Sequence, residues 1–260
     1  MLPCIAACAD RTEEIVLAST TSTEDSGLFD VLIPAFERAH AGSAVKVIAV
    51  GSGEALALGR NGDADVLLVH SPDDEAAFMR AGHGRRRLPV MHNVFIIAGP
   101  PADPVGVGSA SDVNEAMRLL HTGRASFVSR GDSSGTYARE LRLWRDAGLA
   151  DAAASSEHRI EVGQGMGQTL MIASERGAYT LTDRGTFVAL RDALELDVVF
   201  EGDPALRNDY SVITVRDARH PELADVFAEW LTGDAGAAVI RTFGSDPGEP
   251  LFVPARDTGS

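Results

Sequence analysis

The sequence predicts an α/β fold: a mostly parallel sheet covered on both faces by helices. Three observations lead there. Short runs rich in Val, Ile and Leu alternate with segments of helical period. Polar or glycine-rich turns separate them, at the places where strands would give way to helices. No period of about 20–50 residues recurs, which removes solenoids and propellers.

Taken in order, Ile15–Ala18 reads as a strand, and Glu24–His40 as a helix with Leu28, Leu32, Ala35, Phe36 and Ala39 on one face. Val45–Val50 is a second strand, followed by a short helical piece from Glu54 to Gly59. Asp65–Val69 is a third strand. Pro72–Gly82 is a helix with Pro near its start and Gly at its end. Val94–Ala98 is a buried-type strand closed by Gly99-Pro-Pro101. Further on come strand Ser126–Ser129, a helix from Thr136 to Ala147, and strands Ala178–Leu181, Leu196–Phe200 and Tyr210–Val215. Two helices end the pattern: Pro221–Leu231, with Leu223, Val226, Phe227 and Trp230 on one face, and Asp234–Phe243. No Pro/Gly/Ser linker is long enough to separate independent domains. Two lobes would therefore have to exchange strands, near 94–99 and 199–215.

Length and charge narrow the function classes. A chain of 260 residues buries a proper core. No run of about 18 apolar residues exists to span a membrane. A formal charge of −15 opposes binding to phosphate backbones, so nucleic acid is not an expected partner. The same charge argues against anion binding in general. Among the 23 basic residues only Lys46 is a lysine, so the cationic chemistry is almost wholly that of arginine. Both cysteines, Cys4 and Cys8, fall in the first eight residues, which leaves the body without disulfides or thiolate metal sites. Met1–Asp10 is apolar and small, then turns polar, like the tail of a secretion signal. Ala7-Cys-Ala9 fits a small-x-small cleavage site, and Ile5-Ala-Ala-Cys8 resembles a lipoprotein signal that would acylate Cys8.

Four strand-to-helix turns could carry chemistry. Ser19–Thr23 is five consecutive hydroxyl residues ahead of a helix, a source of side-chain and first-turn donors for an anion. Gly51-Ser-Gly53 lets a ligand approach the backbone, with Ser52 adding a donor. Ser129-Arg-Gly-Asp-Ser-Ser-Gly-Thr136 brings Arg130 and the hydroxyls Ser133, Ser134 and Thr136 to a helix start. Gly163-Gln-Gly-Met-Gly167 alternates glycines before a helix holding Leu170 and Ile172.

Two other readings compete. Gly163-x-Gly165 with Asp183 mimics a dinucleotide fingerprint, but Gln168 stands where its third glycine belongs and no clear strand precedes it. Gly131-Asp-Ser-Ser-Gly135 matches Gly-x-Ser-x-Gly, making Ser133 a hydrolase nucleophile with Asp183 and His220 as partners. The seven histidines show no metal-ligand spacing, so no metal or cofactor is expected. Arg85-Arg-Arg87 reads as a solvated turn or a partner-docking surface.

Together the turns resemble one family, the tungstate-binding extracytoplasmic (periplasmic) protein of an ABC uptake transporter. The matching stretches are Leu17–Leu28, Val50–Leu56, Gly62–His70, Phe127–Tyr137, Gly163–Leu170 and Ala178–Thr186, with the endings Ile240–Phe243 and Leu251–Pro254. The resemblance covers residues 13 to 254 in collinear order. It implies a type II periplasmic-binding-protein fold: two α/β lobes joined by two crossover strands, with a ligand cleft between. Lobe I would hold 11–95 and 209–257, and lobe II 96–208. It places the anion on Thr20, Thr21, Ser22, Ser52, Arg130, Ser134, Gly135, Thr136, Gly165 and Met166. The family usually has Thr at Ser19 and often His at Tyr137. A monomeric binding protein is implied, one that passes tungstate, or the like-shaped molybdate, to a membrane permease. A binding protein for another tetrahedral oxyanion, such as molybdate, sulfate or phosphate, is the alternative reading on the same fold.

Overall fold

Strand β1 (Glu13–Thr20) shows how the first half of the sheet is covered on both faces. Ile15 and Leu17 join a core with Leu28, Leu32, Phe36 and Phe227, while Val16 and Ala18 meet Leu56, Leu67 and Phe78 on the other side. This alternation is the two-residue period of a strand buried on both faces. The computed structural model describes residues 12–151, 156–244 and 250–257. The expected leader-like segment and Cys8 lie outside them.

β1 pairs in parallel with β2 (Ser43–Val50) and β3 (Val66–Val69). Helix α1 (Thr21–Asp25) and helix α2 (Leu28–Ala39) replace the single helix expected over 24–40. Gly27 sits at φ 80, a left-handed conformation that interrupts the helix and suits glycine alone. Helix α3 (Ser52–Asn61) follows β2, and helix α4 (Pro72–Arg80) follows β3.

Strand β4 runs the length of Gly84–Gly99, far beyond the expected Val94–Ala98. Arg85–Arg87 is therefore a strand segment and not a turn. Its guanidinium groups lie along the sheet edge, pairing with Asp225, Glu229 and Glu75. The hydrophobic period was masked because these arginines satisfy their charge laterally while β4 keeps its ladder.

β5 (Phe127–Ser129) pairs in parallel with β6 (Arg159–Glu161) and β7 (Tyr179–Asp183) in the second half. A second pair of cores covers this half: Phe127, Trp144 and Tyr179 on one face, Val128, Met166 and Leu170 on the other. Its helices are α5 (Val113–Thr122), α6 (Gly135–Asp146), α7 (Met166–Arg176) and α8 (Arg184–Leu190). The chain returns through β8 (Asp197–Phe200) and β9 (Arg207–Val215). It ends in α9 (Pro221–Thr232), α10 (Asp234–Thr242) and a short β10 (Val253–Pro254).

The sheet is mixed, where a mostly parallel one was expected. Its order is β2-β1-β3-β9-β4-β7-β5-β6, with β8 and β10 also on β4. β9 lies antiparallel to both β3 and β4, and β4 antiparallel to β7. The reason is the path of the chain. β4 leaves the first half and β9 returns to it, so the two crossing strands must run in opposite directions. β4 pairs with β9 up to Val94 and with β7 from Phe95 onward, so a single strand belongs to both halves.

Candidate functional site

At the end of β1 the hydroxyl run does two different jobs. Thr20, Ser22 and Thr23 are buried, with Thr20 Oγ1 at 2.8 Å from Thr23 Oγ1 and 3.1 Å from Ser22 Oγ. These hydroxyls satisfy one another. Thr21 is only half-buried and faces the second half of the molecule. Its Oγ1 accepts a hydrogen bond from Arg130 Nη1 at 3.2 Å, which leaves its own proton free to donate. Gly165 lies directly across, where an added Cβ would stand 3.5 Å from that oxygen.

Ser52 opens helix α3 fully buried, and its Oγ has no hydrogen-bond partner among the described residues. The next residue closes against the other half: Gly53 N donates to the Ser133 carbonyl at 2.9 Å. A Cβ on Gly53 would come within 3.0 Å of that same oxygen, so the approach needs glycine.

Across from it, the β5–α6 turn presents Arg130, itself 3% exposed. Asp132 Oδ2 accepts from its Nε at 3.1 Å and also from Nη2, while Asp132 Oδ1 takes the Ser134 N–H at 3.0 Å. One carboxylate thus fixes both the guanidinium and the turn. Of the five guanidinium N–H groups, Asp132 and Thr21 engage three, leaving two on the terminal nitrogens. Ser134 caps α6 by accepting the Tyr137 N–H at 3.1 Å. Gly135 packs on His70, 2.9 Å from where a Cβ would sit. Thr136 is buried, and its Oγ1, like that of Ser52, is without a partner among the described residues. An unsatisfied buried hydroxyl costs about 1–3 kcal/mol, and two of them, on turns that meet through the Gly53–Ser133 bond, call for a partner.

Met166 lies at the start of α7 with its side chain fully buried in the core beside Leu170, so it can offer only its backbone N–H. The next N–H, of Gly167, is already taken by Asp25 Oδ2 at 2.9 Å. Asp25 was not expected in the site; no motif marks it. Burial raises its pKa, while the Gly167 N–H and Arg130 pull it back down. A further crossing contact brings Thr186 Oγ1 to 3.1 Å from the Ser22 carbonyl, and Arg142 pairs with Asp73 at the rim. The halves are thus closed upon each other, around donors rather than around an open cavity. The adjacent groove of about 520 Å³, lined by Leu56, Phe78 and Leu141 together with Arg60, Asp74 and His83, is far too roomy for a small tetrahedral anion.

Competing motifs do not assemble. Ser133 is exposed on the turn, Asp183 caps α8 by accepting the Thr186 N–H at 2.9 Å, and His220 stands before α9, its N–H bound to Asp65 Oδ1 at 3.0 Å. No hydrogen bond among the described residues joins these three, so the hydrolase triad is not formed. The Gly163 turn follows β6, its Gly165 and Gly167 meet Thr21 and Asp25, and Asp183, the fingerprint's acidic residue, is spent capping α8. Tyr137 turns away from the anion residues, its hydroxyl donating to Glu161 at 2.8 Å beneath the Arg159 guanidinium.

A family model described as a PBP superfamily domain matches residues 7–235. The tungstate-binding protein TupA of Peptoclostridium acidaminophilum is 40% identical over 247 residues, 92% of this chain and 85% of that protein. Among solved structures, the tungstate ABC transporter from Geobacter sulfurreducens superposes with a TM-score of 0.80 at 43% identity, covering 88% of this chain and 98% of that one. The tungstate binding protein TupA from Desulfovibrio alaskensis G20 gives 0.77 at 40% identity, covering 93% and 98%. This chain therefore belongs to the PBP superfamily, within the family of the TupA tungstate-binding proteins.

Proposed function

We propose that this protein is a solute-binding protein, not an enzyme, that captures tungstate outside the cytoplasm and delivers it to the permease of an ABC transporter. The observation that carries this reading is the pair of partnerless buried hydroxyls, Ser52 and Thr136, on two turns from opposite halves that meet through the Gly53–Ser133 bond, the second of which also bears buried Arg130. Tungstate is a tetrahedral dianion with acceptors only. Two hydroxyls, the Thr21 proton, two guanidinium N–H groups and the first-turn N–H groups of α3 and α6 can all donate to it. The Asp132 carboxylate is spent on Arg130, so it does not face the anion with free charge. Protonated phosphate would replace one acceptor oxygen with an O–H, leaving one of these donors without its partner. Molybdate, alike in charge and shape, should bind as well. Thr20, Thr21, Ser22, Ser52, Arg130, Ser134, Gly135, Thr136, Gly165 and Met166 remain our site residues. Thr21, Ser52, Arg130 and Thr136 serve by side chain, while Thr20, Ser22 and Ser134 shape the backbone that carries them.

The mechanism is closure. Residues 11–95 with 209–257 form one lobe and 96–208 the other, and the chain acts as a monomer. Each lobe supplies part of the donor set, so the anion binds the closed form better than the open one and shifts the population toward it. The closed surface is what the permease recognises. Titration calorimetry with tungstate tests the reading: binding of one anion per chain, lost in Arg130→Ala, is expected. Unchanged affinity in that variant would move the site elsewhere. Labelling of Ser133 by a fluorophosphonate would instead favour the hydrolase.

A further inference from the structure

A buried polar chain passes behind the site and ends on Ser22. Asn93 on β4 and Asn208 on β9 are register partners on the two crossing strands. Asn93 Nδ2 lies 3.4 Å from Asp183 Oδ1, Asn208 Nδ2 donates to Asn93 Oδ1 at 2.7 Å, and Asn208 Oδ1 meets His70 Nδ1 at 2.9 Å. His70 Nε2 is 3.4 Å from Ser22 Oγ. All five residues are less than 5% exposed. The chain closes on itself, because Thr186 Oγ1 stands 2.7 Å from Asp183 Oδ2 and 3.1 Å from the Ser22 carbonyl oxygen.

The direction of every bond follows from one end. Ionised Asp183 can only accept, so Asn93 turns its NH₂ toward it and its oxygen toward Asn208. Asn208 must then donate to Asn93 and accept from His70. His70 Nδ1 therefore carries the proton, and its Nε2 is left as an acceptor. Burial supports this by holding the ring neutral, its pKa pushed down to about 4. Among the described residues, the Ser22 hydroxyl is the group within hydrogen-bond reach of Nε2, so its proton points to the ring. The second NH₂ proton of Asn208 goes to the Tyr210 hydroxyl at 3.2 Å, and the Tyr210 ring lies 4.8 Å from that of His70.

We propose that Asn93, Asn208 and His70 are positioning residues for the anion site: a one-way hydrogen-bond chain from Asp183 through both crossing strands turns the Ser22 hydroxyl inward and so sets the Thr20–Ser22 turn that carries Thr21. The inference rests on the tungstate reading for its effect on affinity, but not for the chain itself. It also ties the turn to the strands on which the halves must pivot, since any shear of β4 against β9 acts on the Asn93–Asn208 bond.

Two measurements test it. In the ligand-free full chain, long-range proton–nitrogen NMR of the His70 ring, assigned by its loss in His70→Asn, should show the Nδ1–H tautomer; an Nε2–H ring or an even mixture overturns the proposal. In a double-mutant cycle, Asn208→Ala and Ser22→Ala should each weaken tungstate binding about tenfold, as expected for one hydrogen bond. The double variant should be no weaker than either single one. Additive losses of about 100-fold, or no loss in Asn208→Ala, would show that Asn208 does not act through Ser22. If the wild-type chain fails to bind tungstate, the functional reading falls while the tautomer still decides the chain. If Asn208→Ala fails to fold, the wild-type tautomer decides alone.

Discussion

Arg130 bears the one full positive charge in the donor set, and Asp132 and Thr21 already fix its plane. Removing it from a buried anion complex should cost about 2–5 kcal/mol of binding, read as a loss of at least about 30-fold in tungstate affinity. Ser52→Ala and Thr136→Val test a different property. Neither hydroxyl has a protein partner, so each change should weaken tungstate about tenfold while leaving the ligand-free melting temperature unchanged or slightly raised. A drop in ligand-free stability would mean that these groups have partners in the free protein. His70 provides a test in pH. Its pKa falls from the ordinary 6.5 to about 4 in the fold, so the folded state binds fewer protons than the unfolded one between those values. Stability from this group is therefore present above pH 6.5 and lost as pH falls toward 4, about 3 kcal/mol in all. Asp183 works the other way: burial raises it from 3.8 to about 6, so its ionisation costs stability as pH rises through that window. The two nearly cancel in the wild type. The comparison with His70→Asn isolates the histidine: the denaturation free energy of the variant should fall less on acidification than that of the wild type. Equal slopes would contradict the burial of a neutral ring.

At the scale of elements, Gly27 is the joint that separates α1 from α2 and lets α1 turn its hydroxyls toward the site. Gly27→Ala should cost about 1 kcal/mol in urea denaturation, because its φ of 80 is unfavourable for a side chain although space is open. The alternation of strands and helices was legible because apolar period survives single-sequence reading. What escaped was decided at long range. The length of β4 was hidden by three arginines whose partners, Glu75, Asp225 and Glu229, lie on α4 and α9. β6 escaped because only Ile160 among its three residues is apolar. α5 went unassigned despite a readable start: Asp112 accepts the Glu115 N–H at 2.8 Å ahead of buried Ala116, Met117 and Leu120. In the site, the turns and their hydroxyls could be picked out from sequence and glycine spacing. Which hydroxyl faces the anion could not, since Thr20 and Ser22 are occupied by Thr23 and His70, and one of those partners is 48 positions away. Asp25 and the Asn93–Asn208 pair carry no motif, and only the crossing of β4 and β9 brings the asparagines together.

For the whole molecule, a charge of −15 and a site for a dianion are compatible. Net charge acts at long range, and salt screens it beyond about 8–10 Å. Most arginines outside the site are paired with carboxylates, among them Arg159 with Glu140 and Arg241 with Asp257. On the proposed reading, affinity comes from oriented donors supplied by both halves of the molecule. Rim contacts such as Arg142 with Asp73 add little, since both side chains are exposed and such pairs contribute about 0–1 kcal/mol. Closure itself should be visible in solution as a smaller radius of gyration by X-ray scattering once tungstate is added; an unchanged profile would remove closure from the mechanism. The most direct measurement is calorimetric titration of the full chain with tungstate, repeated with sulfate and with phosphate. The account predicts one tungstate per chain, bound at least about 100-fold more tightly than phosphate because a phosphate O–H would leave one donor of the site without its acceptor. No binding of tungstate, or phosphate bound equally well, would contradict it.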